Sequence, residues 1–219
     1  MLKKLIWDLP VRIFHWLLVV LIAGAWYTVK ISGNMDQHML IGKSILALLI
    51  FRVLWGFFGT RYARFGSFLY KPGEILGYAR TLLDRKGGDY AGHNPIGSLA
   101  VFSMLALVGV QVGTGLFATD ADEFVRGPLN GLVSSATAYS LTDIHYANIN
   151  FLLALIALHV VAILSYLFFK RENLISPMLS GEKADPGDNL KPVSDSKLGL
   201  AIGLMVAAVA VVLLLNSLG

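Results

Sequence analysis

The stretch Asp143–Lys170, DIHYANINFLLALIALHVVAILSYLFFK, decides the fold of this chain. It is long and apolar enough to cross a bilayer, which takes about 20 such residues in a helix. Yet it carries two histidines, His145 and His159, 14 residues apart. At about 1.5 Å of rise per residue they stand roughly 21 Å apart along a helix, and 14 residues close nearly four turns. Both imidazoles therefore point to one side at two depths. Ionisable groups inside a membrane are costly and mark function by default. Two stacked haems, each taking one axial ligand from this helix, explain the spacing. The plainer alternative places His145 at the interface and hydrogen-bonds His159 to a neighbouring helix.

Composition sets the class. The 219 residues are 56% hydrophobic and 15% charged, with a mean hydropathy of +0.66, more apolar surface than a soluble domain of this length can hide. An integral membrane protein is expected. With no cysteine, covalent c-type haem, iron–sulfur clusters and thiolate zinc sites are excluded, and metal chemistry falls to histidine. The basic residues flank apolar spans, so nothing points to nucleic acid. Lys3 and Lys4 before an apolar run resemble a signal peptide, but Asp8, Arg12 and His15 interrupt it, and the first span is expected to be retained.

Four spans are expected at about 10–29, 38–58, 95–118 and 143–169, within a domain covering 1–178. Asp8 and Pro10 suit the start of the first helix, Asn94 and Pro95 that of the third. Trp7, Trp16, Trp26 and Tyr27 read as partly interfacial anchors. Ile75, Tyr78, Ala79, Leu82 and Leu83 share one helical face, which predicts an amphipathic surface helix at about 72–86. Gly109, Gly113 and Gly115 permit close approach of helices or of a flat macrocycle. A polar, Gly- and Pro-broken loop is expected from Thr119 to Thr142. A polar linker at 179–197 leads to a fifth, wholly apolar helix at 198–219, whose Gly199 and Gly203 suit a partner helix or a second copy. The fold class is all-α: a four-helix haem-binding membrane bundle with one additional C-terminal span.

Charge sets sidedness. Lys3, Lys4 and Arg12 precede or open span one. Arg61, Arg64, Lys71, Arg80, Arg85 and Lys86 lie between spans two and three, and Lys170, Arg171 and three more lysines follow span four. The other two loops hold only Lys30 and Arg126. The positive-inside rule places the N-terminus in the cytoplasm and the C-terminus in the periplasm of a bacterial inner membrane. His38 and His145 then form an outer pair, and His15 and His159 an inner pair, from three helices. Four scattered histidines rarely sort into depth-matched pairs on different helices, so two six-coordinate b haems are expected. Arg52 lies 14 residues after His38, on the same face and near the inner pair, where it suits a haem propionate or a snorkelling anchor. His93 has no depth-matched partner and reads as an interfacial polar residue, with contact to the inner haem's propionates as the functional alternative.

WDLPVRIFHW (7–16), HMLIG (38–42), FRVLWGFFGTRYARF (51–65), GHNPIG (92–97) and HYANINFLLALIALH (145–159) resemble the di-haem membrane cytochrome b family. That family includes bacterial cytochrome b561 and the cytochrome b subunits of nickel–iron hydrogenases. The resemblance covers about residues 5 to 172. It implies two b haems ligated from the first, second and fourth helices, with His15, His38, His145 and His159 as ligands, and electron passage between quinone and a redox partner. GHNPIG and Thr114–Asp122 look most like members that work with periplasmic c-type cytochromes; a hydrogenase-like subunit is the other partner the family implies. An electron-transfer subunit, with no catalytic residue of its own, is expected rather than an independent enzyme. The competing function is a stand-alone superoxide oxidase that delivers electrons to quinone. An outer loop in which Asp120, Asp122, Glu123 and Asp143 outnumber Arg126 argues against it, because it repels superoxide and attracts a basic protein.

Overall fold

The computed structural model describes residues 3–82, 90–120, 125–184, 191–193 and 197–218. The end of the expected surface helix beyond residue 82, Asp122 and Glu123 of the acidic loop, and residues 185–190 and 194–196 of the linker lie outside them. The chain is an all-α membrane protein with five helices long and apolar enough to span a bilayer.

The first, α1 (Leu9–Tyr27), starts at Asp8, whose Oδ1 accepts the Val11 N–H at 2.8 Å, with Pro10 in the first turn. It runs on through a π-helical turn at Thr28–Ser32 and stops at Gly33, a left-handed residue with φ 63°. Asn34 caps α2 (Met35–Phe58) by accepting from Gln37 N at 2.9 Å. A short surface helix, α3 (Pro72–Arg80), follows, and Asn94 caps α4 (Pro95–Gly115) in the same way through Gly97 N.

The segment after α4 is not a structureless loop. Thr119–Asp120 (β2) pairs antiparallel with Val125–Arg126 (β3). The next helix, α5 (Ser135–Ser165), begins eight residues before Asp143, because Ser134 Oγ accepts from Thr137 N and Ala136 and Ala138 favour helix. With its closing π-turn, Tyr166–Lys170, it covers 36 residues. That is roughly 54 Å, well beyond the roughly 30 Å hydrocarbon core, so its polar first turns stand clear of the bilayer.

After α5 the chain folds back. Helix α6 (Ile175–Ser180) leads into β4 (Glu182–Ala184), which pairs antiparallel with β1 (Lys3–Leu5). The N–H groups of Ile6 and Trp7 both donate to Gly181 O. Arg12 Nη1 donates to Leu179 O at 2.8 Å and Trp16 Nε1 to Met178 O at 3.2 Å. Tyr62 Oη reaches Lys191 O, and Lys197 Nζ donates to Phe58 O and Gly59 O at the start of α7 (Leu198–Asn216). The N-terminus, the segment after α2 and the segment after α5 therefore share one end of the bundle, as five crossings require.

Helices α1, α2, α4 and α5 meet around Ile45, Val108 and Leu152, while Val11, Phe14, Leu48 and Phe51 of α1 and α2 form a second cluster with Trp7 of the N-terminal segment and Ala201 and Ala208 of α7. Helix α7 packs on α2 with Ala201, Ala208 and Val212 buried, whereas Gly199 and Gly203 have open space around them. Its terminal Asn216 accepts a hydrogen bond from Lys43 Nζ, which gives a lysine inside the second span a polar partner. Trp7 departs from its expected place at the interface. It is buried in the inner core because β1 and β4 fold the N-terminus under the bundle, while Trp16, Trp26 and Tyr27 are exposed along α1.

Candidate functional site

At the outer end, α2 and α5 bring His38 and His145 together, with ring centroids 6.3 Å apart and ring planes at 88°. His38 Nδ1–H donates to Ala25 O at 3.1 Å, with Thr28 Oγ1 at 3.4 Å. The π-turn that follows α1 at Thr28 sits beside it; such turns are frequent at functional positions. His145 Nδ1–H donates to Gln111 O at 2.9 Å, with Thr114 Oγ1 at 3.3 Å. A carbonyl accepts only from N–H, so both rings carry the proton on Nδ1 and present the lone pair on Nε2. Gly115 lets α4 come this close, since a Cβ there would stand 3.0 Å from His145 Cε1.

This arrangement fits a haem iron. Metal–imidazole bonds of about 2 Å on either side put two ring centroids roughly 6 Å apart, and a carbonyl on the second ring nitrogen is the usual support of a ligating histidine. Among the described residues no group of three or more histidine or acidic side chains could hold a bare metal ion. Paired histidines suit a macrocycle that brings its own in-plane nitrogens. The His145 Nε2 lone pair accepts from the Gln111 side-chain amide at 3.1 Å, and Gln111 Oε1 accepts from Asn148 Nδ2 at 2.7 Å. His145 Nε2 would hold the iron in place of the Gln111 donor. Gln111 and Asn148 were not anticipated from the sequence, although two carboxamides within apolar spans are a signal of their own.

Toward the end that holds the N-terminus, His15 of α1 and His159 of α5 lie close enough for their charges to interact, and His15 Nδ1 is buried with no hydrogen-bond partner among the described residues. Arg52 of α2 is 3% exposed. Its guanidinium carbon lies 4.9 Å from the Phe65 ring centroid, and Nη1 is buried without a hydrogen-bond partner among the described residues. A cation this deep is not a snorkelling side chain. Asp8 is 1% exposed and does more than cap α1. Its Oδ2 also accepts from Trp55 Nε1 at 3.1 Å and from Thr60 Oγ1, tying α1 to α2 and to the segment after it.

His93 differs most from its sequence reading. Its ring packs on Trp7, at 4.7 Å, and on Phe68, at 4.5 Å, and its Nδ1 is buried and unpartnered among the described residues. Tyr70 Oη donates to its backbone oxygen at 2.9 Å. Burial, reinforced by Arg52 and His159, lowers its pKa to about 3, so the ring is neutral in any physiological medium. The folding of Trp7 under the bundle is what buries it, and spacing along one helix carries no trace of that.

Comparison with known proteins gives a consistent family. The family described as prokaryotic cytochrome b561 matches residues 6–181. A protein of Bradyrhizobium diazoefficiens named a probable Ni/Fe-hydrogenase B-type cytochrome subunit is 24% identical over 213 residues, covering 81% of this chain and 85% of the relative. A Rhodobacter capsulatus protein of the same name is 22% identical over 221 residues, covering 85% and 83%. No solved structure matches the chain.

Proposed function

The chain belongs to the prokaryotic cytochrome b561 family and is a b-type membrane cytochrome of electron transfer; from that premise we propose that it holds two b haems and passes electrons between quinone and a redox partner on the outer side. The observation that carries the proposal is the His38–His145 pair, two Nε2 lone pairs from α2 and α5 with ring centroids 6.3 Å apart. His15 and His159 are the inner ligands in this reading, and Arg52 binds an inner-haem propionate. The haem supplies one-electron chemistry at an iron that two histidines leave without an open position, so reaction of oxygen species at iron is disfavoured.

The protein's own residues do the rest. Ala25 O and Gln111 O fix the tautomer and the ring orientation of the outer ligands. The apolar faces around Ile45, Val108 and Leu152 exclude water between the two depths. The N-terminus and the segment after α5 face the cytoplasm of a bacterial inner membrane, which their lysines and arginines favour. The hydrogenase names of the relatives favour a hydrogenase-like redox subunit as the partner, with a periplasmic c-type cytochrome as the other acidic-loop ligand.

Stopped-flow oxidation of the reduced, purified protein tests the assignment. Oxidation of the reduced protein by quinone or by a c-type cytochrome, or electron exchange with a hydrogenase subunit, at rates well above reduction of the oxidised protein by superoxide supports it. Fast reduction of the oxidised protein by superoxide, which releases O₂, with the electrons passed on to quinone to form quinol, identifies a superoxide oxidase instead.

A further inference from the structure

Asp8 is the one buried carboxylate among the described residues, and it stands at the start of the helix that carries His15. Capping alone does not call for it. Serine or asparagine fills an N-cap as well, without the cost of burying a charge. The second oxygen explains the choice. Oδ1 accepts from Val11 N at 2.8 Å within α1, whereas Oδ2 reaches out of the helix to Trp55 Nε1 at 3.1 Å and to Thr60 Oγ1, both on buried residues. Hydrogen bonds to an ionised acceptor are about twice as strong as neutral ones, so the carboxylate holds the first turn of α1 on α2 more firmly than a neutral cap would. His15 follows Asp8 by seven residues, close to two full turns, and so shares its face of α1. Val11 and Phe14, between them on that face, are buried. His38 and His145 each have a carbonyl that orients the ring, but His15 Nδ1 has no hydrogen-bond partner among the described residues. Its ring meets only the edge of Trp16 among the aromatic rings described, with centroids 5.0 Å apart and planes at 90°. The direction of the His15 ring therefore follows from how α1 is set against its neighbours.

We propose that Asp8 is a positioning residue of the inner haem site: its bonds to Trp55 and Thr60 set the rotation and depth of α1, and with them the ring of His15. Two further ties hold the same turns of α1 from the other side. Arg12 Nη1 donates to Leu179 O at 2.8 Å and Trp16 Nε1 to Met178 O at 3.2 Å. Asp8, Arg12 and Trp16 recur every four residues along one line of α1, and His15 lies between the last two. Arg12 and Trp16 bond to the short segment after α5, whereas Asp8 bonds to α2 and the turn that follows it. Asp8 is thus the tie that sets His15 relative to the helix bundle itself. The inference rests on His15 as an inner ligand in the proposed function.

The test is electron paramagnetic resonance of the oxidised, purified full-length protein with its haems. The g values of a low-spin haem with two histidine ligands follow the angle between the imidazole planes, so they read ring orientation, which a loss of stability alone does not move. The two signals are assigned through His145→Ala and His159→Ala. Asp8→Ser keeps an N-cap and removes both bonds to α2. The inner signal is expected to shift, or the inner haem alone to be lost, with the outer signal in place. Thr60→Val removes one donor at nearly constant volume and should shift the inner signal less, in the same sense. It carries the test if Asp8→Ser does not fold. An inner signal unchanged in haem-replete Asp8→Ser and Thr60→Val overturns the proposal and leaves Asp8 as a cap. Equal loss of both haems from Thr60→Val also overturns it, because the tie then serves the whole bundle. A wild-type protein with no inner haem overturns the proposed function, and this inference with it.

Discussion

At the outer end of the bundle, His38 and His145 each give Nδ1–H to a carbonyl of the chain, and their rings face one another across 6.3 Å. At the other end, His15 Nδ1, Arg52 Nη1 and His93 Nδ1 are buried without hydrogen-bond partners among the described residues. The first site orients its ligands from within the helices, using Ala25 and Gln111. The second leaves buried side-chain nitrogens without a partner among the described residues, while the carboxylate of Asp8 accepts from three other groups. In the proposed reading, one haem site would be oriented by second-sphere carbonyls and the other would not. The difference predicts that the two haems respond to different mutations and leave independently.

The largest effect to expect is loss of a single haem. His145→Ala should remove the outer haem and spare the inner one, and His159→Ala should do the reverse, as read from haem content and from the low-temperature spectra of the two centres. Equal loss of both from a well-folded variant would break the depth pairing on which the comparison stands.

A smaller effect is expected from the element that closes the inner end only. Gly181 has φ 85°, and a Cβ there would stand 2.7 Å from Leu5 Cδ1 and from Trp7 O. Gly181→Ala should destabilise the protein by about 1–3 kcal/mol through backbone strain and this clash. It should loosen the β1–β4 pairing and with it Trp7, which covers His93. Hydrogen exchange should speed up at residues 3–7 and 182–184 and remain unchanged around His38 and Thr114. Uniform loss of protection at both ends would show that the outer site depends on the same clamp.

The smallest and most local effect belongs to Arg52. A nearby positive charge favours the reduced iron, so Arg52→Gln should move the inner midpoint negative and leave the outer one nearly in place. Two unmoved midpoints in a redox titration would remove Arg52 from the haem environment.

The legible parts of this molecule are those that a single helix encodes. The 14-residue spacings of His38 with Arg52 and of His145 with His159 place side chains on common faces by helical arithmetic alone, and caps at Asp8 and Asn94 follow local chemistry. What escaped was made by segments distant in sequence. The pairing of Lys3–Leu5 with Glu182–Ala184 has no periodic signature, yet it buries Trp7 and converts His93 from a surface residue into a clamped one. Helix α5 starts at Ser135 because a serine cap and alanines extend a helix past the membrane, where hydropathy no longer reports on structure. Lys43 and Asn216 meet only because α7 lies along α2, a packing that an apolar helix without titratable groups does not announce.

The central claim is that four histidines on three helices hold two b haems, one at each end. A pyridine haemochrome assay on the purified full-length chain, scaled to polypeptide by quantitative amino-acid analysis, measures it directly. Two non-covalent b haems per chain, falling to one in His159→Ala, is the predicted result. One haem or none per wild-type chain would contradict it.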